Sequence, residues 1–162
     1  MQLGEGVEWA LHCASLLASL PPGTTLPASR LAEFHGVPPA YLAKHLQALS
    51  QAGIVESVPG RRGGYRLGRP ADEVTLLDVI EAVEGTAGSF RCTEIRRRGP
   101  TAAPAANYPQ PCRITKAMDR ADEAWRASLR GQTLAELSGE VAAVLTPVVV
   151  RKATAWLAEA AR

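Results

Sequence analysis

Three cysteines carry the first chemical possibility in this chain of 162 residues: Cys13, Cys92 and Cys112. A thiolate is at once a nucleophile, a metal ligand and half of a redox couple. The first basic residue is Arg30, so no charged region precedes an apolar stretch as a secretory leader requires. An odd, sparse set of cysteines in such a chain argues against structural disulfides and for metal or redox use. Ordinary buried thiols are the competing account, because free Cys is among the most buried residue types. Cys13 falls beside an apolar helical stripe and reads as core. Cys92 and Cys112 bracket a stretch without periodicity, Gly85 to Pro111, which holds four prolines, three glycines and Arg96-Arg97-Arg98. A loop of that length in a compact domain is usually functional or disordered. Two other donors, Glu8 and His12, stand four residues apart and share a helix face.

Enzymatic alternatives lack support. Gly60 to Gly64 is glycine-rich, but no Lys-Ser/Thr follows it as a phosphate-cradling loop needs. No Ser-His-Asp arrangement has any spacing to recommend it. The chain is expected not to be an enzyme.

Charge distribution points elsewhere. Eighteen Lys and Arg against sixteen Asp and Glu give a formal +2. Between Ala28 and Pro70, however, six basic residues (Arg30, Lys44, Arg61, Arg62, Arg66, Arg69) face only Glu33 and Glu56, so this stretch carries +4 and the remainder −2. A basic segment on a near-neutral protein suits a polyanion, although a solvated surface gives the same count. With 46% hydrophobic and 21% charged residues the chain is ordinary globular material. No apolar run approaches the roughly 18 residues of a membrane span. A soluble cytoplasmic protein without membrane contact is expected.

The elements that must position these residues follow from periodicity. Val7, Ala10, Leu11, Ala14, Leu17 and Ala18 make one stripe of a helix running from Val7 to Leu20, stopped by Pro21-Pro22-Gly23. A short helix spans Ala28 to Phe34, followed by a turn at His35-Gly36-Val37-Pro38. A third runs from Pro39, as its first residue, to Ala52. Leu42, Leu46 and Leu49 share one side of it, leaving Ala40, Lys44, Gln47 and Gln51 on the other. Two short helices joined by a Gly-containing turn form a helix-turn-helix pattern. Ile54 to Val58 and Tyr65 to Leu67 flank a turn carrying Arg61 and Arg62, which reads as a hairpin wing. Arginines at such a tip suit a narrow minor groove.

A fourth helix, Leu76 to Val83, starts after a candidate cap at Thr75. From Arg113 to Arg130, Ile114, Met118, Ala121, Trp125 and Leu129 form a nearly heptad-like seam, favouring a partner helix and hence a homodimer. A last helix from Thr146-Pro147 is expected to bury Val149, Ala153, Trp156, Leu157 and Ala160. The expected fold is mainly α with a small β-hairpin wing: a winged helix-turn-helix plus a long dimerisation helix. Residues 1–85 form the DNA-binding domain, 86–112 a cluster-binding loop, and 113–162 the dimerisation and C-terminal helices.

Several segments together resemble the Rrf-type winged helix-turn-helix transcriptional regulators, a family that includes the iron–sulfur sensors IscR and NsrR. They are Leu31-Ala32-Glu33, Val37 to Leu46, Gly53-Ile54-Val55, Gly60 to Leu67, and Val74 to Gly85. The resemblance covers about residues 1–135. The usual cluster-binding members place three closely spaced cysteines in the loop; here Arg98 and Pro104 occupy the second and third positions. Gly6 to Cys13, Cys92 to Arg96 and Ala124 to Leu129 look instead like the redox-sensing, RsrR-type branch, whose 2Fe–2S cluster has mixed ligands. That resemblance implies Cys92 and Cys112 as ligands from one subunit, with Glu8 and His35 from the other. Spacing from Glu8 alone would choose His12 over His35, so His12 is the named alternative.

On this reading the chain is a redox-sensing regulator, expected to act as a repressor on a palindromic double-stranded operator. Ala40, Tyr41, Lys44 and Gln47 face the major groove, and Arg61 and Arg62 hold the wing to the DNA. Trp9, adjacent to Glu8, would transmit the change at the cluster by packing. The alternatives are a cluster-free regulator switched by a Cys92–Cys112 disulfide or by a ligand, and, ranked lower, a small iron–sulfur electron carrier.

Overall fold

The computed structural model describes residues 3–60 and 63–160. It holds seven α-helices and one two-stranded antiparallel hairpin among those residues. The described residues form two compact units, one of residues 3–86 with 129–160 and the other of residues 87–128.

In the larger unit, α1 (Glu5–Ala18) buries Val7, Ala10, Cys13, Ala14 and Leu17 and packs on α3, α4 and α6. It ends at Ala18 rather than Leu20 because the residue before a proline is pushed out of the helical region, and Leu20 precedes Pro21. α2 (Ala28–His35) stops at Gly36, which is left-handed at φ +66°. There the Val37 N–H reaches back to the Ala32 carbonyl at 3.0 Å, closing the turn before α3. α3 (Pro39–Gln51) buries Leu42, Leu46 and Leu49, all fully, and leaves Ala40, Tyr41, Lys44 and Gln47 exposed. The face assignment made from a 100° rotation per residue therefore holds in three dimensions.

The wing is β1 (Val55–Val58) paired with β2 (Gly64–Leu67), Val55 opposite Leu67 and Val58 opposite Gly64. Its glycine pair has a packing reason. Gly64 sits at φ +155°, and a Cβ there would strike the Leu26 carbonyl group. The neighbouring Tyr65 exchanges two backbone hydrogen bonds with Leu26, at 2.8 and 3.0 Å. The wing is thus fastened to the segment leading into α2.

Helix α4 (Leu76–Glu84) begins with the expected cap: the Thr75 hydroxyl accepts the Asp78 N–H, and the Asp78 carboxylate accepts the Thr75 N–H. α6 (Leu134–Val144) opens in the same way through Thr133 and Glu136. The segments before these two helices pair as an antiparallel bridge, Thr75 with Thr133. α6 buries Leu134 in the core and places the Ser138 hydroxyl 3.0 Å from that of Ser15 on α1.

α7 (Pro147–Ala160) corrects one expectation: it has no buried residue, Val149 being 45% exposed and Ala153, Trp156, Leu157 and Ala160 only half-buried. Only the later part of the helix reaches other elements, with Leu157 and Ala160 packed on the core and Trp156 against Phe34 of α2. The first turn, Val148 to Val150, runs out into solvent.

In the smaller unit, α5 (Arg113–Arg130; its last two residues belong to the larger unit) has no buried residue. Ile114 and Met118 of its seam are 62% and 37% exposed. Asp122 ties the start of the loop to this helix. It accepts hydrogen bonds from the Ser89 hydroxyl at 2.9 Å and from Arg126 Nε at 2.8 Å, and these donors hold its carboxyl below the usual range. Among the described residues no helix is long and apolar enough to cross a membrane.

Candidate nucleic-acid interface and thiol pocket

The outward face of α3 is the first candidate surface. Of the basic residues in the +4 stretch, Arg30 is paired with Glu33 at 2.8 Å, Arg66 with Glu56 at 2.9 Å, and Arg69 with Asp78 at 3.7 Å. Lys44 has no ion-pair partner among the described residues and is exposed beside Gln47. Arg61 and Arg62 lie outside the described residues. Among the basic residues of this stretch that the structure describes, Lys44 is the one outside an ion pair. Replacing Lys44 with Ala should lower the slope of log affinity against log salt by about 0.9, one phosphate's worth, in a salt titration on duplex DNA.

Behind this face stands Trp9 of α1. Its ring meets Tyr41 edge-on at 6.5 Å and His45 at 6.0 Å. One turn earlier, α1 carries Gly6, where any Cβ would fall on the His45 imidazole. Glycine there lets α1 and α3 approach closely, and His45 fills the joint. Glu8, next to Trp9, is exposed, as is His12.

His35, at the end of α2, is half-buried and brought beside His12, with ring centroids 5.6 Å apart. Phe34 meets it edge-on at 5.0 Å. Its Nε2 is buried and has no hydrogen-bond partner. Burial first, and the neighbouring His12 second, push its pKa below the ordinary histidine value and so favour the neutral imidazole, the form that binds metals. The two histidines that sequence left as alternatives are thus immediate neighbours.

In the other unit Cys92 and Cys112 are both free and line one pocket of about 430 Å³, together with Phe90, Ile95, Arg96 and Ile114. Cys92 is half-buried, and its sulfur accepts the Glu94 N–H at 3.4 Å. To make that bond Glu94 takes φ +49°, which no other non-glycine described residue does. Cys112 sits at the N-terminus of α5, its carbonyl accepting the Lys116 N–H at 3.1 Å. Backbone amides of Thr115 and Ile114 aimed at its sulfur hold its thiol below the ordinary cysteine range, with smaller help from the Thr115 hydroxyl and Arg96. Arg96 feels the charge of both sulfurs. It is fixed in place by Glu94, at 2.8 Å, and by the Tyr108 ring 5.0 Å beneath its guanidinium. The Tyr108 hydroxyl in turn donates to the Arg96 carbonyl at 2.7 Å. Sequence names Glu94 and Arg96 only within a matching segment and a basic run, and gives Tyr108 and Thr115 no role; no spacing marks a residue that supports a sulfur through the fold of a loop.

Cys112 is 9% exposed, and Cys13 differs from it in the direction of its shift. Cys13 is fully buried in α1, and burial pushes its thiol up to about 12. Iodoacetamide applied between pH 7 and 8 should therefore label Cys112 well before Cys13, as read by peptide mass spectrometry. The sign is fixed by the direction of the Cys112 shift. Its thiolate favours the fold fully above the unfolded thiol value near 8.5, and this contribution fades as pH falls through the lower folded value. Among the described residues no three His, Cys, Asp or Glu side chains gather closely enough to hold a metal ion. The thiol pair lies in one unit, and Glu8, His12 and His35 lie in the other.

The profile of the Rrf2 family, described as an iron-dependent transcriptional regulator, matches residues 3–140. The protein aau3 of Rhizobium meliloti (strain 1021) is 38% identical over 136 residues, 84% of this chain and 81% of that protein. YwgB of Bacillus subtilis (strain 168), named as an HTH-type transcriptional regulator, is 37% identical over 91 residues. That match covers 56% of this chain and only 58% of YwgB. Among solved structures, CymR (YrzC), the global cysteine regulator of B. subtilis, superposes with a TM-score of 0.69 at 21% identity, covering 86% of this chain and 98% of that one. The IscR of T. potens gives 0.67 at 21% identity, covering 90% and 93%. At such identities the two structures establish the fold, a mainly helical winged helix-turn-helix; the family match, spanning most of the chain, establishes more. The chain belongs to the Rrf2 family of transcriptional regulators.

Proposed function

We propose that this protein is a homodimeric, DNA-binding redox regulator of the cytoplasm whose Cys92–Cys112 pocket is the sensor. The observation that carries the proposal is the pocket itself: two free cysteines surrounded by amide donors and a held guanidinium. Such surroundings stabilise anionic sulfur, the form in which a thiolate binds iron. Two thiolates satisfy one iron of a 2Fe–2S cluster and leave two ligand positions open. The resemblance described above supplies candidates for them in Glu8 and His35 of the second subunit. His35 Nε2, buried with nothing to bond, supports that choice, and His12 beside it is the alternative. When bound, the cluster would supply a one-electron couple.

The chain's own residues would do the rest. The Glu94 and Thr115 amides and Arg96 would balance charge at the sulfurs. Glu8 and His35 would report the state of the site to α1 and to the turn of the helix-turn-helix. Trp9, between Glu8 and the Tyr41–His45 side of α3, would pass the movement on. α3 would enter the major groove of a palindromic operator, with half-sites centred about 34 Å apart in a dimer. Lys44 would contact phosphate there and Gln47 would suit adenine, with Ala40 and Tyr41 alongside. Arg61 and Arg62 would hold the wing to the backbone, and binding would repress. A hundredfold change in affinity asks for only about 2.8 kcal/mol of differential stabilisation.

Anaerobic purification followed by iron, sulfide and visible-spectrum measurement tests the proposal. About two irons and two sulfides per cluster, with colour bleached reversibly by dithionite, are expected. Colourless, iron-free protein would refute the cluster. The shared pocket also favours a second reading, in which Cys92 and Cys112 close a disulfide and give up two protons and two electrons to an oxidant. Iron-free protein that loses two titratable thiols as its operator affinity changes would establish it.

A further inference from the structure

The family profile ends at residue 140, yet α7 continues to Ala160 and is attached at a particular place. Trp156 meets Phe34 of α2 with ring centroids 5.2 Å apart at 62°. The Arg30 guanidinium, one turn back on α2, lies 5.8 Å from the same indole. Arg30 is itself held by Glu33 and drawn electrostatically by Glu159 of α7. On the far side of Phe34 stands His35, and beyond it His12. A continuous run of rings thus leads from α7, through α2, to α1.

α2 needs outside support. It has eight residues, no side-chain cap at its start, and only Leu31 and Ala32 buried. Helices of two turns owe their persistence to tertiary packing rather than to their own hydrogen bonds. Leu31 and Ala32 hold it on the core side, and Arg30 and Phe34 present a second side, which α7 covers. Leu157 and Ala160 fix α7 to the core, while Val148 to Val150 stay in solvent, so it is the later part of the helix that engages.

We infer that α7 is a clamp on the first helix of the helix-turn-helix, with Trp156 a positioning residue that sets how freely the Phe34–His35 end of α2 moves. The inference rests on the proposed function where it concerns signalling, and on packing alone where it concerns α2. The clamp holds the turn in the arrangement that supports α3. Loosening it lets the turn move whatever the state of the sensor, so the two states of the protein lose their difference in operator affinity.

The test compares full-length wild type, Trp156→Ala and Trp156→Phe by hydrogen exchange and by operator binding in oxidised and reduced states. Trp156→Ala should speed exchange of amides in residues 28–37 on the order of tenfold, leaving α1 and α3 at wild-type rates. Trp156→Phe, which keeps a ring against Phe34, should restore slow exchange. The ratio of oxidised to reduced affinity should shrink to about twofold in Trp156→Ala from a wild-type value in the usual range of 5–150-fold. Unchanged exchange in residues 28–37, or equal acceleration in α1, α2 and α3, would overturn the clamp. A wild type with no redox difference in affinity would instead refute the proposed function, and the exchange measurement would still decide the clamp.

Discussion

Cys112→Ser is expected to abolish the response of operator binding to oxidants while leaving the DNA-binding unit folded. The effect is close to all-or-none because the site offers so few ligands. With two thiols in the pocket, removing one leaves a single thiolate on that subunit, too few to hold one iron of the cluster. In the disulfide reading the partner sulfur is lost, with the same result. A hydroxyl at the N-terminus of α5 still accepts the Ile114 and Thr115 amides, so the helix start survives. Iron per protein should fall to background, and the affinity ratio between redox states, normally 5–150-fold in coupled systems, should collapse to one. Retained iron and a retained ratio would place the sensor elsewhere. Cys13→Ser, measured beside it, should leave the ratio intact, since that sulfur is sealed in the core.

Leu46→Ala should cost far more stability than any substitution on the outward face of α3. Leu46 is fully buried, and truncating such a leucine costs about 2.7–5 kcal/mol because the surroundings refill the cavity only in part. Against the 5–15 kcal/mol that holds a typical domain, this is a large fraction, equivalent to a midpoint lower by roughly 5–20 °C. Lys44→Ala, two positions earlier and on the solvent face, should change stability by no more than about 0.5 kcal/mol. Thermal unfolding followed by circular dichroism separates the two. Similar midpoints for both variants would mean that α3 is not anchored through its leucine face.

The comparison of those two residues also explains what the sequence could reveal. The α3 pattern is local: a rotation of 100° per residue separates Leu42, Leu46 and Leu49 from Lys44 and Gln47 with no knowledge of the partner helices. Thr75 and the bounds of α5 were legible for the same reason, as caps and periods are written within a few residues. α6 is equally open to such reading, through Thr133 and Glu136, which form the same capping box that begins α4. Val149 was a different matter. Periodicity places it on the apolar face of α7, but whether that face reaches a partner depends on where the helix lies, and its first turn lies beyond the core.

The candidate site was legible in its atoms and not in its surroundings. The cysteines stand out by type, and Glu8 and His12 by spacing. The pocket's supports do not: Arg96 acts on both sulfurs only because Glu94 and Tyr108 hold it from opposite ends of a fold-back in the loop. Nor could spacing reveal that His12 and His35, twenty-three positions apart, would meet ring to ring. That meeting depends on the angle between α1 and α2, a tertiary quantity.

The bridge between Thr75 and Thr133 has an evolutionary consequence. Leu76 donates to the Gln132 carbonyl at 2.9 Å, and Leu134 to that of Val74 at 2.8 Å, so the chain is pinned closed across everything between. Residues 87–128 are therefore an insertion whose point of departure and point of return both lie in one finished reader. The entropy of closing such an excursion grows only logarithmically with its length, about 0.6 kcal/mol per doubling. Cysteines can be gained, lost or respaced there, and the loop lengthened or trimmed, while the DNA-reading helices keep their packing. One DNA-binding core can in this way carry, over time, loops of many different kinds.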